Sequence, residues 1–572
     1  MVYATICLIA LALLVLVLMI VNVNEIKRQT KSRATALLFI VLFPFILVGV
    51  AFSAVIYVLL LLYREIVLTA ILKEECGDDF FCLVSGLDVF NATQSMKRST
   101  IIGLMVCEID SNSSPKTVME YVQDVIRAQL RKNRSHLGKL FTKPKMFSGY
   151  LYLERVELEH ETCIRHLPTV DGELDVEALN GLIGRWCYEP FNGPLLWDIS
   201  VGTQPLKWRN EGTSNIKHYP IVIRVHHLIA DGISILKLVV GVLGDKSNHP
   251  KISTFEKYID AEKFVWLTTF RRVIQAIRII LFFPVCLFSI VVLKSCVGNE
   301  VHGKELEFQE HCAVALDPNG QYLEKVKTIR KRSGATIPEI ILTVISESLK
   351  AHFLKYNNYP SHTTLVLPIV SNYSELLNMR PGEVNIEDIQ FNNRYVVVSV
   401  KVPTFIGAED YNPATPILSK LNVVKRLINT LKVSTEAEVM CFYLLFTSIS
   451  LQVSAIIFSH FFGVLPISWV RHICQYIHAT AGISLIPGPP KMTYGDGHIK
   501  VCEFVFWLPH MLDIGLTIGS LSYDNRLILS LNCDAVYISE RTEVQELLDS
   551  IYRHINLLEE ELQVVDGGGE LK

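Results

Sequence analysis

Two uncharged, strongly apolar stretches occupy the start of the chain, at residues 1–24 and 34–63. Each is at least as long as the roughly 20 apolar residues that a helix needs to cross a bilayer. The first stretch lacks the positively charged start of a signal peptide, and the second follows almost at once, which favours a retained anchor. Residues 1–63 are therefore predicted to form an N-terminal membrane anchor.

The path of this anchor through the membrane has two interpretations. Pro44 lies inside the second stretch, where it either kinks a spanning helix or marks the tip of a re-entrant hairpin. Four basic residues separate the stretches, and this loop is expected to stay in the cytosol: Lys27, Arg28, Lys31 and Arg33.

Two further apolar stretches lie later in the chain, at residues 279–293 and 439–470. The first is short for a span, and the second lacks Asp, Glu, Lys and Arg throughout its length. Each is interpreted either as a buried core helix or as a segment at the membrane interface, with the second favouring membrane contact.

Outside these stretches the pattern alternates between strands and helices. Strands are predicted at 101–109, 149–159, 219–227, 308–317 and 394–403, and helices after Ser114–Pro115, at 173–187, from the Thr336–Glu339 capping box, and at 540–563. Residues 513–534 predict a hairpin that turns at Asp524–Asn525. The alternation favours α/β layers in a two-part body: 97–275 and 301–563, joined by a hydrophobic linker at 276–300 and followed by a disordered tail at 564–572.

Composition narrows the class of protein. Half of the residues are hydrophobic and the formal net charge is only −3, so nothing indicates a nucleic-acid partner. The cysteines number 13, an odd count, and their spacing matches neither a disulfide framework nor a metal site. Cys76 and Cys82 are close enough to pair if that segment is lumenal; the alternative is two free thiols. No metal and no resident cofactor are expected.

The segment VIRVHHLIADGIS, residues 222–234, carries the strongest candidate chemistry. It places His227 just after a predicted strand and Asp231 four residues further on, followed by Gly232. An imidazole is suited to moving a proton near neutral pH. The carboxylate can fold back onto a nearby arginine or a backbone N–H and hold the turn, while glycine permits close backbone approach or positive φ.

A buried histidine at the end of a strand is often purely structural, and this alternative stands beside the catalytic one. The chain has no GxSxG motif that would supply a serine nucleophile. A lone base therefore indicates direct attack by a substrate hydroxyl or amine on an activated acyl group.

His226-His227-Leu-Ile-Ala-Asp231-Gly232 resembles the HHxxxDG signature of CoA-dependent acyltransferases and condensation domains. Three other segments narrow the resemblance to the wax ester synthase/diacylglycerol acyltransferase family. Pro194–Trp197 (PLLW) resembles the family's PLW, Ser484–Pro489 (SLIPGP) resembles its SNVPGP, and residues 516–538 resemble its C-terminal pattern. The resemblance covers about residues 100–562.

This resemblance implies two chloramphenicol-acetyltransferase-like halves with a tunnel between them, and an enzyme that transfers a fatty acyl group from acyl-CoA to diacylglycerol or a long-chain alcohol. His227 would be the general base, Asp231 its structural partner, and His226 a neighbour of undefined role. The implied substrate-binding residues are Pro194, Trp197, Pro487, Gly488 and Pro489. From their residues alone, Pro487–Pro490 are expected to end a helix in a rigid turn.

Three departures from the family pattern put its CoA contacts and acceptor specificity in question. Pro338–Glu339 stands where the family has Asn–Asp, Leu485 replaces the asparagine of NVPGP, and PLW carries an extra leucine. Two alternatives therefore stay open: a lipid-binding membrane protein of the same fold without catalysis, and an enzyme of amide or ester condensation.

Membrane partners follow from the anchor and the implied substrates. The endoplasmic reticulum is the expected location, with the plasma membrane as the alternative, and the oligomeric state is undetermined. If the second stretch is re-entrant, the basic loop and the body both lie in the cytosol, where the body can reach acyl-CoA. A lumenal body would instead expose the sequons at Asn91, Asn133 and Asn372.

Overall fold

The structure is a computed structural model of the whole chain. It describes residues 2–30, 32–84, 86–93, 99–110, 119–120, 123–124, 128, 132, 135–157, 163–208, 216–242, 244–246, 284, 288, 301, 304–317, 319–370, 383–393, 395–436, 462–474, 479–489, 491–494 and 497–567. The chain divides into two compact units. One comprises Met1–Ile71, Glu256–Cys296 and Asn429–Leu465, and the other comprises Leu72–Phe255, Val297–Ile428 and Pro466–Lys572.

The first unit contains two long apolar helices, α1 (Val2–Thr30) and α2 (Arg33–Leu62). Ser32 caps α2, since its hydroxyl accepts a hydrogen bond from the Thr35 backbone N–H at 3.2 Å. Both helices are long and apolar enough to cross a membrane. Because α2 continues through Pro44 without turning back, the re-entrant hairpin interpretation is wrong.

Aromatic packing joins α2 to one of the later apolar stretches. Phe39 and Phe43 are buried, and the ring of Phe39 meets the ring of Phe288 edge-on, with 5.1 Å between centroids. Pro284 and Phe288 are the described residues of the 279–293 stretch, and the 439–470 stretch is described only from Phe462 onward. For both stretches, the choice between core and membrane interface therefore stays a prediction.

A helical strap follows α2 and crosses from the first unit into the second at Ile71–Leu72. A π-helical turn, Tyr63–Leu68, joins α2 to α3 (Thr69–Cys76), which is followed by strand β1 (Phe80–Leu83) and the short helix α4 (Leu87–Ala92). Strand β1 belongs to a three-stranded sheet of order β1-β4-β3, with β3 at Thr142–Phe147 and β4 at Tyr150–Arg155. Neither Cys76 nor Cys82 is in a disulfide, which favours the interpretation as two thiols.

A six-stranded sheet of order β14-β15-β2-β9-β7-β5 forms the first half of the body. Its strands are β2 (Thr100–Asp110), β5 (Ile164–His166), β7 (Trp197–Val201), β9 (Ile216–His226), β14 (Thr493–Tyr494) and β15 (Ile499–Trp507). A short pair, β6 (Leu174–Asp175) and β8 (Leu206–Lys207), lies beside helix α5 (Val176–Trp186).

A second six-stranded sheet, of order β10-β17-β16-β13-β11-β12, forms the other half. Its strands are β10 (Glu310–Ala315), β11 (His362–Val370), β12 (Tyr395–Pro403), β13 (Ala481–Ile486), β16 (Leu516–Tyr523) and β17 (Arg526–Asp534). Helix α6 (Gly232–Leu236) follows β9 of the first half. The helices of the second half and its flanks are α7 (Gln321–Ser333), α8 (Ile337–Lys355), α9 (Pro416–Glu436), α10 (Ile467–Cys474) and α11 (Arg541–Gly567).

The prediction of an α/β body with two sheet-rich halves is confirmed, but the halves are not consecutive in sequence. Strands β14 and β15 come from the segment predicted as the C-terminal half, 301–563, and complete the sheet of the N-terminal half. Strand β15 pairs antiparallel with β2 from Lys500–Glu108 to Trp507–Ile102. A single cut near residue 300 therefore does not separate the two sheets.

Short sequence motifs correctly predicted where several elements begin or turn. The Glu339 carboxylate accepts from the Thr336 backbone N–H at 2.7 Å, as the capping box predicts for the start of α8. Asp524 and Asn525 both have positive φ and turn the hairpin of β16 and β17. Helix α11 extends to Gly567, so the first four residues of the predicted disordered tail, 564–567, are helical instead.

Candidate active site

Strand β9 delivers the two histidines to the centre of the first half. It lies between β2 and β7 and ends at His226. The His226 ring nitrogen Nδ1 accepts from the Leu228 backbone N–H at 3.0 Å, so this histidine closes the turn that follows the strand. His226 is fully buried, and burial lowers its pKa to about 3. A ring that stays neutral, buried and bonded to backbone is a structural group.

A buried ion pair holds β9 three residues before the second histidine. The Arg224 guanidinium donates through Nε to Asp198 Oδ1 at 2.8 Å, and also to the backbone carbonyls of Trp186 and Glu189. Asp198 lies on β7, directly after Trp197 of the PLLW segment. Arg224, the arginine nearest to the motif in sequence, therefore has Asp198 as its carboxylate partner.

The Asp231 carboxylate accepts a hydrogen bond from a backbone N–H, which is one of the two kinds of partner expected for it. It is the N-cap of α6, and its Oδ1 accepts from the Ser234 backbone N–H and from the Ser234 hydroxyl, both at 2.8 Å. The Ser234 hydroxyl also donates to the Gln390 carbonyl at 2.8 Å. Gly232 opens the helix without positive φ, and a Cβ there would lie 3.7 Å from Ile486 Cδ1. The glycine therefore keeps space open beside the turn rather than relieving backbone strain.

His227 is partly exposed to a cavity, and its Nδ1 atom has a defined partner. Nδ1 lies 2.6 Å from Asn393 Oδ1, while the backbone N–H of His227 donates to the Ser99 carbonyl at 2.7 Å. The ring of Tyr395 meets the His227 ring edge-on at 5.5 Å. With Nδ1 engaged, Nε2 is the ring nitrogen that a substrate can use.

Behind Asn393 lies a second layer of polar contacts from α4. Asn393 Nδ2 donates to Asp88 Oδ1 at 2.6 Å, and Asp88 Oδ2 accepts from Lys139 Nζ, also at 2.6 Å. The Tyr395 hydroxyl donates to Asn91 Oδ1 at 2.9 Å. Asn91 is buried in this network, so the sequon at Asn91 has no surface on which to carry a glycan.

The pKa of His227 reflects opposed influences. Burial lowers it below the usual value for histidine, while the hydrogen bond to Asn393 and the charges of Asp231 and Asp88 act in the opposite direction. The effect of burial is the largest, so the pKa of His227 is lowered and the imidazole is neutral at neutral pH. A neutral imidazole is the form that accepts a proton.

Two adjoining cavities lie beside His227. The larger, of about 840 Å³ measured to its open mouth, is lined by His227, Asp231, Tyr395 and mainly apolar residues of β13 and β15. The smaller, of about 440 Å³, is lined only by glycine and apolar side chains, including those of Gly103 and Ile235. Four residues border both cavities and so mark their junction: Ile101, Gly232, Ile486 and Phe506.

The residues carried over from the family motifs lie outside the walls of both cavities, as far as the described residues define them. Pro194 is exposed, whereas Trp197 is buried and its indole N–H donates to the Leu140 carbonyl at 2.9 Å. Pro487, Gly488 and Pro489 follow strand β13, so the expectation that they end a helix is wrong. A Cβ at Gly488 would lie 1.3 Å from the Ser522 carbonyl oxygen, which only glycine avoids.

A buried ion pair supports the cavity wall after β15. His510 Nδ1 lies 2.7 Å from Glu310 Oε1, and the Tyr188 hydroxyl also donates to that carboxylate. Burial alone would lower the pKa of His510, but the neighbouring Glu310 charge outweighs it and raises the pKa. The neighbouring residues Pro509 and Met511 line the larger cavity, so this pair holds part of its wall.

Sequence reasoning missed the residues that surround His227 from outside its own motif. Tyr395 begins β12 and Asn393 lies two residues before it. Asp88 and Asn91 come from α4, before the predicted start of the body at residue 97. The available signals were weak: a sequon at Asn91 and an asparagine pair, Asn392–Asn393, before a predicted strand.

Comparison with known proteins adds to this geometry. The family description "WS/DGAT C-terminal domain" matches residues 392–559. A wax ester synthase/diacylglycerol acyltransferase 9 of Arabidopsis thaliana is 25% identical over 421 residues, which is 67% of this chain and 80% of the relative. The chain is thus similar to a wax ester synthase/diacylglycerol acyltransferase, and the family match covers its residues 392–559.

Solved structures share the fold of this chain at low sequence identity. The wax ester synthase/diacylglycerol acyltransferase from Marinobacter aquaeolei VT8 aligns with a TM-score of 0.52 and 12% identity, covering 84% of this chain and 100% of its own. The trichothecene 15-O-acetyltransferase from Fusarium sporotrichioides aligns with a TM-score of 0.53 and 13% identity, covering 83% and 94%.

Two of the departures from the family pattern have a structural account in this chain. Pro338 and Glu339 build the first turn of α8, with Glu339 buried as a capping group. Leu485 lies on β13 opposite Ser520 of β16, one residue from the cavity residues Ser484 and Ile486. The nonpolar substitution extends the apolar character of this strand.

The role of Asp231 can be tested with two substitutions. Asp231→Ala removes the cap of α6 and is expected to lower stability by about 0.5–2 kcal/mol, with loss of activity because the turn after His227 relaxes. Asp231→Asn retains a capping oxygen and is expected to keep most of the stability. Thermal unfolding and acyl transfer would be measured on both variants.

Asp175→Ala provides the matched control, because Asp175 caps α5 through a 2.8 Å bond to the Ala178 N–H and does not line either cavity. It should lose a comparable cap without losing turnover. If Asp231→Asn were fully stable but inactive, the carboxylate charge itself would act in the reaction.

Proposed function

We propose that this protein is a membrane-bound O-acyltransferase that transfers a fatty acyl group from acyl-CoA to diacylglycerol or a long-chain alcohol. The observation that carries the proposal is a neutral histidine, His227, whose Nδ1 is held by Asn393 while its ring borders a large apolar cavity. Similarity to the wax ester synthase/diacylglycerol acyltransferase family supports the donor and the class of acceptor. Acyl-CoA is a co-substrate, and no resident cofactor is proposed.

In the proposed reaction His227 Nε2 accepts the proton of the acceptor hydroxyl. The oxygen attacks the thioester carbonyl carbon, a C–O bond forms, and the C–S bond breaks. The resulting imidazolium returns its proton to the departing thiolate, so ester and free CoA leave and the histidine is again neutral. No acyl-enzyme intermediate is needed.

The second cavity supports an aliphatic chain as part of the substrate. It is lined without charged groups, and burial of each methylene there contributes about 0.8 kcal/mol. It adjoins the His227 cavity through Ile101, Gly232, Ile486 and Phe506, which places a chain in it within reach of the reacting carbon.

The helices α1 and α2 support membrane association, because their outward residues are large and apolar: Leu37 is 63% exposed and Phe45 is 74% exposed. We propose the endoplasmic reticulum membrane as the location. Lipid alcohols would then reach the enzyme from the bilayer.

The first test supplies purified membranes with labelled acyl-CoA and a panel of acceptors that includes diacylglycerol and long-chain alcohols. Ester formation is expected for the wild type, and His227→Ala should lower it by about 10²-fold or more. His226→Ala should have a smaller effect, because His226 shapes the turn without facing the cavity. The labelled lipids are then separated to measure how much ester has formed.

His166→Ala is the control, since His166 is exposed at the end of β5 and should not change the rate. Near-normal synthesis by His227→Ala would contradict the mechanism. Binding of lipid without ester formation by the wild type would instead support a lipid-binding protein that lacks catalysis.

The proposal that the smaller cavity holds the acyl chain can be tested at Gly103. A Cβ there would meet only the Ile223 carbonyl oxygen, at 4.0 Å, so a larger side chain would point into open space. The series Gly103→Ala, Gly103→Val and Gly103→Leu should shift acyl preference progressively to shorter chains, because each step fills part of the 440 Å³ chamber. Competition among acyl-CoAs of different length measures the shift.

Gly407→Val serves as the control for this series, because Gly407 lies in an exposed turn and borders neither cavity. An unchanged length preference in a folded Gly103→Leu enzyme would place the acyl chain elsewhere.

The side of the membrane on which the reaction occurs is a further test. If both helices cross, the chain before α1 and the chain after α2 share one side. We propose that this side is the cytosol, where acyl-CoA is made. The four basic residues at the junction of α1 and α2 argue for the opposite orientation. A C-terminal epitope should be reached after permeabilisation of the plasma membrane alone.

Endoglycosidase treatment provides the second readout and should leave the mobility of the full-length protein unchanged. Asn91 is uninformative because it is buried, so Asn133 and Asn372 are the sequons to examine. A glycan at either would place the body in the lumen and require a lumenal acyl donor.

A further inference from the structure

We propose that Asn393 is a positioning residue that fixes His227 in one tautomer, and that Asp88 of α4 fixes Asn393 in turn. The inference rests on the proposed function and adds a role for residues outside the HHxxxDG motif. Three parts of the chain that are distant in sequence meet here: α4, the turn after β9, and the segment just before β12.

The orientation of the Asn393 amide follows from its partners. Its Nδ2 group lies 2.6 Å from Asp88 Oδ1 and 2.5 Å from the His227 backbone carbonyl oxygen. Both partners are acceptors only, so the atom facing them has to be the NH₂ group. The Asn393 backbone N–H also donates to Asp88 Oδ1, at 3.1 Å. A flipped amide would place its oxygen against two other oxygens.

This orientation determines the tautomer of His227. With the amide fixed, Asn393 presents its carbonyl oxygen to His227 Nδ1 at 2.6 Å. An amide oxygen only accepts, so Nδ1 carries the proton and Nε2 carries the lone pair. Asn91 Nδ2 also lies 3.4 Å from Nδ1, but an NH₂ group offers Nδ1–H no acceptor. Asn393 is therefore the partner of Nδ1–H.

The same contact favours the charged state that forms during the reaction. When Nε2 takes a proton, the positive charge spreads to Nδ1–H, and its bond to Asn393 becomes stronger. Asp88 strengthens the polarisation of the amide from the other side, and Lys139 holds Asp88 through a 2.6 Å ion pair. Asn393 thus transmits the effect of a carboxylate without placing that charge next to the ring.

Several charged or titratable groups surround His227 among the described residues. Asp231 lies at the start of α6, Asp88 lies on α4 with its partner Lys139, and His226 precedes the ring on β9. Tyr395 packs against the ring from β12. Substitution of Asn393 leaves all of these groups in place, so a change in the titration of His227 reports on the amide.

The central variant is Asn393→Leu, which removes the hydrogen bond and approximately keeps the size of the side chain. We expect kcat to fall about 10- to 100-fold, while KM for acyl-CoA changes by less than about twofold. The bond favours imidazolium over neutral imidazole, so its loss should lower the pKa of His227. The acidic limb of the pH–rate profile should therefore move to lower pH even as the maximal rate falls.

A purely structural effect would lower the rate without moving this limb. Asn392→Leu is the matched control, because Asn392 is the adjacent asparagine and its Oδ1 has no hydrogen-bond partner among the described residues. It should preserve both the rate and the position of the limb. Asp88→Asn should shift the limb in the same direction as Asn393→Leu but less far, since it removes charge and keeps shape.

A readout independent of ester synthesis separates this inference from the proposed function. Diethylpyrocarbonate modifies neutral imidazole, and mass spectrometry of the His227 peptide measures the modification rate against pH in full-length protein. The midpoint should be lower in Asn393→Leu than in the wild type and in Asn392→Leu. An unchanged midpoint and an unchanged kcat in folded Asn393→Leu would overturn the inference. Absence of ester synthesis by the wild type would overturn the function but not this titration result.

Discussion

The pairing of β15 with β2 is the constraint on which the rest of the body depends. A strand from late in the chain, Ile499–Trp507, completes a sheet whose other long strands come from residues 100–226. After Trp507 a loop leads from this sheet to β16 of the second six-stranded sheet, and this loop forms a wall of the larger cavity. Because each sheet contributes side chains to the same apolar space, neither half is expected to form the site alone.

The candidate site is built around the end of strand β9. Hydrogen bonds and an ion pair occupy the backbone and side chains around the turn: Arg224 binds Asp198, His226 binds the Leu228 N–H, and Asp231 caps α6. These contacts are satisfied within the first half. His227 is different, because its Nδ1 partner comes from the other half of the body and its ring borders the cavity.

Features set by short-range chemistry could be predicted from the sequence, whereas those set by long-range pairing could not. The Thr336–Glu339 capping box and the Asp524–Asn525 turn depend on neighbouring residues, and both were placed correctly. Proline and glycine at 487–489 signal an end of regular structure but not which kind, so a helix was expected where β13 lies. Asn393 and Asp88 carry no local signal, because 305 residues separate them and only the folded chain joins them.

The position of α4 limits where the chain could be shortened. Residues 87–92 follow the strap that continues α2, yet Asp88 and Asn91 belong to the polar layer behind His227. A chain that began at Leu87 would keep both side chains, whereas one that began at Ser99 would lack them. The second truncation would remove the carboxylate that bonds to Asn393 although it would retain every strand of both six-stranded sheets.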